Sequence, residues 1–212
     1  MAGVVGLSPG NGSLIVVSGP PGAGKSTVAA ALVERLEPSM LVEGDAFFGF
    51  LRRGAVDPWL PESHRQNTVI TAVAAEAAAS LAAAGYHTVY DGVVGPWFIG
   101  EFTRACRAAR VELDYVLLIP SVEECLHRVA HRADHPFGDP DATTRMHEHF
   151  DGAEIDPRHL LRPPPVSIDD TVAAVEAARQ AGALRIGKPV ATQTPTQGHQ
   201  TRATRSEGCN GR

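Results

Sequence analysis

Eight consecutive residues, Gly19-Pro20-Pro21-Gly22-Ala23-Gly24-Lys25-Ser26, fit the spacing G-x-x-x-x-G-K-[ST], and Thr27 follows them. Such a segment can grip a polyphosphate. Its glycines let the backbone curl until successive N–H groups converge on phosphate oxygens, and a following helix adds the positive end of its dipole. Lys25 would bring a full charge to the outer phosphates, and the Ser26 hydroxyl an oxygen for a nucleotide-bound Mg2+. Lys25 is the sole lysine in the first 187 residues, which carry 14 arginines. A chain that otherwise takes arginine as its cation keeps a compact ammonium at this turn.

Two acids fall where they could work on such a phosphate. Asp45 closes Val42-Glu43-Gly44-Asp45, where a carboxylate can take the proton of an acceptor hydroxyl or cap a helix starting at Ala46. Strand alternation turns Glu43 to the other side. Asp91 follows His87-Thr88-Val89-Tyr90 and suits Mg2+, directly or through water, or contact with substrate; Asp-Gly is also a common turn pair. Arg128 and Arg132 stand one helical turn apart and share a face, so both could supply charge to the equatorial oxygens of a phosphoryl group in flight. Arg145 is a further contact of that kind. Arg65 suits a carboxylate, phosphate or hydroxyl-rich acceptor, and equally a surface acid. Trp59, Trp97, Phe47 and Phe48 are either walls of an acceptor pocket or core. Of the histidines, His127, His131 and His135 are four apart, and His147 and His149 two apart. No H-E-x-x-H or cysteine partner completes a metal set, so these are charge near the nucleotide or solvated side chains.

The elements that must hold these residues alternate. Apolar strands are expected at residues 14–18, 40–43, 87–90, 115–119 and 159–161. Helices are expected at 25–37, 66–84, 96–109, 122–132, 142–150 and 169–181, with a polar loop at 134–141. This order predicts an α/β three-layer sandwich with a mainly parallel five-stranded sheet, whose ligands collect at the carboxyl ends of the strands. Gly19, Asp45, Asp91 and Pro120 all come just after strands.

Length and composition set the frame. The 212 residues, 43% hydrophobic, suffice for one compact domain and exclude wholesale disorder or a disulfide miniprotein. The net charge of −5 gives no electrostatic case for nucleic-acid or membrane binding. Cys106, Cys125 and Cys209, few and odd in number, fit a reducing cytoplasm, and the first apolar run is too short for a signal peptide. From residue 187 the chain turns to Gly, Thr, Gln, Pro and Arg, so a domain at 1–186 and a flexible tail at 187–212 are expected.

The phosphate-binding segment with its strand spacing resembles the small P-loop kinases, the group of gluconate kinase, shikimate kinase, adenylylsulfate kinase and chloramphenicol phosphotransferase. The resemblance spans about residues 13–182 in layout, and only the P-loop is highly specific. It implies a P-loop NTPase fold like that of the nucleoside monophosphate kinases. It also implies ATP with Mg2+ and transfer of the γ-phosphoryl group to a hydroxyl of a small acceptor, a metabolite or an antibiotic. In such kinases the acid at Asp45 lies beside the acceptor. A lid, here about 133–145, brings arginines over the nucleotide, and the loop at Arg162-Pro163-Pro164-Pro165 packs on adenine, which makes Arg162 and Pro165 nucleotide contacts. A nucleoside or nucleotide kinase and an ATP-hydrolysing switch are the alternatives, and the assembly is a monomer or homodimer.

Overall fold

The computed structural model describes residues 12–131, 138–162, 164 and 167–187. Five strands, β1 (Ser13–Ser18), β2 (Ser39–Glu43), β3 (His87–Asp91), β4 (Glu112–Leu118) and β5 (Leu160–Leu161), pair in the order β2-β3-β1-β4-β5, every pair parallel. The sequence of β1, Ser-Leu-Ile-Val-Val-Ser, is buried throughout, as a central strand covered on both faces must be. Alternation splits its side chains between two cores. Leu14 and Val16 join Val42, Tyr90, Tyr115 and Leu117 on one face. Ile15 and Val17 join Val89, Val116 and Leu118 on the other.

Helices cover both faces. α1 (Lys25–Val33) buries Val28, Ala29 and Leu32 in the second core, while α2 (Gly44–Phe48) is a single turn leaving β2. α3 (His64–Ala83) packs its row of alanines, Ala74, Ala75, Ala78, Ala79 and Ala82, into the first core. α4 (Ile99–Ala109) joins it there through Phe102, Ala105 and Cys106. α5 (Val122–Ala130) and α6 (Pro140–Asp151) follow β4, and α7 (Ile168–Gln180) lays Val172 and Val175 beside α1. The alternating βα layout is as expected, with boundary corrections that have local causes. α1 stops at Val33 rather than 37, because Arg35 and Leu36 donate their N–H groups three residues back and tighten the last turn before Pro38. The segment 96–98 is a turn, and α4 begins only at Ile99. No helix among the described residues is long and apolar enough to cross a membrane.

A further correction is β4, which starts at Glu112 and not at 115. Charged residues hide its first turn of the ladder. Asp114 is fully buried, and its two oxygens accept from Arg179 Nε at 3.2 Å and Arg185 Nε at 2.8 Å. Arg179 also donates to Ser13 at 2.7 Å, so the end of α7 and the segment after it are fastened to β1 and β4. Removing one partner of such a cluster strands the others. Asp114→Ala should cost about 3 kcal/mol, the low end of the usual range because both arginines keep some solvent access, and urea unfolding would read it.

Two histidines make stability depend on pH. Burial, with a small part from Arg158, lowers the pKa of His159 below 6.5 although its Nδ1–H donates to the Tyr115 carbonyl at 3.0 Å. Burial and then Arg179 lower that of His87. A folded-state pKa below the unfolded one means that the unfolded chain binds more protons as pH falls. The contribution is therefore complete above about pH 6.5 and is lost as pH drops through the lowered values. The thermal midpoint at pH 5.5 should lie below that at pH 7.5, and a flat midpoint would take both histidines out of the balance.

Candidate functional site

The turn from β1 into α1 is curled by its glycines. Gly19, Gly22 and Gly24 have φ of 144°, 79° and 91°, a region L side chains rarely adopt. At Gly22 space forbids a side chain as well, since a Cβ would lie 2.4 Å from the Cys125 carbonyl oxygen. Two carbonyls of the turn point at α5, where Arg128 donates to Gly22 O at 3.3 Å and Ala23 O at 3.4 Å and pairs with Glu124. In a trans peptide the N–H opposes the C=O, so the Gly24 N–H points away from the Ala23 carbonyl that Arg128 holds. α1 begins there with no side-chain cap and no acid in its first turn. A helix start of this kind, with its dipole, suits an anion. Lys25 Nζ donates to Pro20 O at 3.0 Å, and Ser26 and Thr27 are exposed beside it. Cys125, directly behind the turn, is buried, which pushes its thiol up to about 11 despite Lys25 and Arg128 nearby, so it stays protonated.

Register brings the acids to the same edge. Val17 and Glu43 both stand opposite Asp91, two residues before Gly19 and Asp45 respectively. Parity puts Asp91 and Glu43 on the α1 face with Val89, and Tyr90 on the other. Asp91 Oδ1 is buried with no hydrogen-bond partner, an unsatisfied acceptor at the edge where α1 begins. Asp45 is exposed in the first turn of α2. Burial raises the Tyr90 phenol well above its ordinary value, and the negative carboxylates of Asp45 and Asp91 add to the effect. Its hydroxyl occupies the space above Gly44, where a Cβ would be 2.4 Å away. Sequence reasoning passed over Tyr90 as strand filling; no spacing signal marks it.

On the other side of the turn lies a cleft of about 460 Å³, walled among others by Gly24, Thr27, His127, Arg128, Pro164 and Ile168. His127 and His131 stack there with ring centroids 4.2 Å apart. Pro164, from the loop expected to carry a proline wall, lines this cleft. Arg162 is exposed and pairs with Asp151 at the end of α6, and it is not among the cleft-lining residues. Arg65 and Arg145 are exposed, on the first turn of α3 and on α6. Arg132, His135, Pro165 and residues 133–137 of the expected lid lie outside the described residues, as do 188–212 of the expected tail. Among the described residues no cluster of His, Cys, Asp and Glu could by itself hold a metal.

Comparison with known proteins places this geometry. A family model described as an AAA domain matches residues 14–152. Among solved structures, a gluconokinase from Sinorhizobium meliloti 1021 superposes with a TM-score of 0.54 at 21% identity, over 82% of this chain and 94% of that one. The APS kinase CysC of Mycobacterium tuberculosis, in complex with AMPPNP and APS, does so with a TM-score of 0.62 at 19% identity, over 81% and 99%. The tunicamycin resistance protein of Deinococcus radiodurans gives 0.51 at 20% identity, over 84% and 99%. At these identities the likeness carries the fold. No curated protein sequence matches significantly.

Proposed function

Because the chain belongs to the AAA domain family, matched over residues 14–152, we propose that it is an ATP-dependent kinase acting on a hydroxyl of a small-molecule acceptor, a metabolite or an antibiotic. The observation that carries this reading is the glycine-curled turn, whose carbonyls are held outward by Arg128 and whose helix N-terminus has no cap of its own. The P-loop kinases among its structural neighbours favour transfer to an acceptor over hydrolysis.

In the reaction the acceptor oxygen bonds to the γ-phosphorus, the bond from that phosphorus to the β,γ-bridging oxygen breaks, and ADP leaves. The acceptor proton passes to the Asp45 carboxylate. Backbone N–H groups of the turn hold the phosphates, and Lys25 neutralises charge on the group in transfer. Arg128 braces the turn, and with Arg132 adds to the positive field. Arg65 and Arg145 serve acceptor recognition from either side, while Pro164, Pro165 and the His127–His131 pair serve the base. Ser26 and the unsatisfied Asp91 oxygen fit Mg2+. The ion would supply charge neutralisation between the outer phosphates.

Calorimetry with Mg2+ present should detect uptake of ATP by the folded protein. Thermal-shift screening of hydroxylated metabolites and antibiotics with a non-hydrolysable ATP analogue should then reveal the acceptor as a raised midpoint. Well-folded protein that takes up neither ATP nor GTP overturns the proposal.

A further inference from the structure

The loop that leaves β3 after Asp91, residues 92–98, is fixed unusually firmly. Ser18 Oγ accepts from Val94 N–H at 2.7 Å and donates to Val94 O at 3.0 Å, and Tyr115 Oη donates to the same carbonyl at 2.5 Å. All three residues are buried. The loop is therefore locked to the last residue of β1, immediately ahead of the phosphate-binding turn, and to β4. A platform so held cannot drift relative to the phosphates.

What this platform presents is Trp97. Its indole folds back over Gly95, where a Cβ would be 2.3 Å from a ring carbon, so only glycine allows the pose. The ring packs on Phe150 of α6 at 5.1 Å and 51°, and meets exposed His149 edge-on at 6.1 Å and 81°. Phe150 is buried, yet Trp97 remains 40% exposed. α6 is itself anchored over the sheet edge, because His147 Nε2–H donates to the carbonyl of Pro120, just past β4, at 2.8 Å. On the other flank Phe98 stacks with His64, next to Arg65, at 6.1 Å and 16°. A row of rings thus runs along the carboxyl edge of the sheet, from the start of α3 to α6, beginning six residues after Asp91. A lone surface tryptophan is ordinary. A tryptophan preset by a glycine and a buried phenylalanine, on a platform clamped beside the phosphate turn, is a binding surface for a flat partner.

Resting on the kinase reading, we infer that Trp97 and His149 form the wall of the acceptor subsite, and that the acceptor carries an aromatic ring close to its reactive hydroxyl. Arg145, one turn before His149 on α6, stands at the rim of this wall. The ring row selects against compact polyols, which offer no face to stack and would leave the indole uncovered.

Phenylethanediol and propanediol test this, being the same vicinal diol with a ring or a methyl group. Phosphate ester formed from Mg·ATP is measured by mass spectrometry and initial rates by ADP release. The phenyl compound should have the higher kcat/KM by roughly tenfold, the scale of one aromatic contact, expressed in KM. Trp97→Leu should erase that preference and Trp97→Phe should retain most of it, with a cooperative thermal transition confirming that each variant is folded. Equal use of the two diols, a preference that survives in Trp97→Leu, or ATP binding without turnover of either diol overturns the aromatic assignment and leaves the kinase reading standing. Failure to bind ATP overturns the kinase reading instead.

Discussion

Lys25→Ala should reduce phosphoryl transfer by roughly a thousandfold or more while the protein stays folded. The side chain is half-buried and its ammonium donates to Pro20 O within its own turn, so deletion removes a local contact and opens no core cavity. That contact is worth about 1 kcal/mol, and the thermal midpoint should move by only a few degrees. Transfer is a different matter. Among the described residues the nearest other cation is Arg128, and it is occupied by two carbonyls and Glu124. No other lysine stands in the first 187 residues to substitute. Lys25→Arg should not restore the rate, because a planar fork needs more room than a point charge inside a curl this tight. Single-turnover rates with saturating ATP, beside a denaturation curve for each variant, separate the two effects. A Lys25→Ala protein that transfers at the native rate would remove the turn from the chemistry.

The parts of the fold that were legible in the sequence are those set by neighbours along the chain. The run Leu14-Ile15-Val16-Val17 had to be a central strand, and the glycine spacing that follows had to be a curl into a helix. What escaped was set across the chain. Asp114 fell outside the expected strand because the arginines that make its burial possible come 65 and 71 residues later. Ser18 read as the end of a strand, yet its hydroxyl closes two hydrogen bonds on Val94, 76 residues away. Tyr90 came under the charge of Asp45, from the element after β2, only once β2 and β3 were in register. Arg128 shows a subtler limit. Helical spacing put it on one face with Arg132, but spacing cannot distinguish an arginine reaching for a ligand from one bracing the carbonyls of the turn after β1.

Asp45→Asn should lower turnover by about two to four orders of magnitude with ATP binding retained. Two other acids stand at the same edge, and their placement is what makes the prediction selective. Asp91 and Glu43 share the sheet face that α1 covers. Asp45 lies one residue into α2, past the end of the strand, exposed and free of that alternation. Asparagine keeps the shape and one acceptor oxygen, so an acid that merely begins a helix would be replaced at a cost of a few tenths of a kcal/mol, since asparagine serves helix starts nearly as well. An acid that takes a proton cannot be replaced in this way, because the amide has no basic site near neutral pH. The same substitution at Asp91 should act differently, raising the Mg2+ concentration needed for half-maximal rate, because its buried oxygen lacks any other partner. Turnover unchanged in Asp45→Asn would leave proton removal to another group. A shared loss in both variants that excess Mg2+ restores would place the two carboxylates together on the metal.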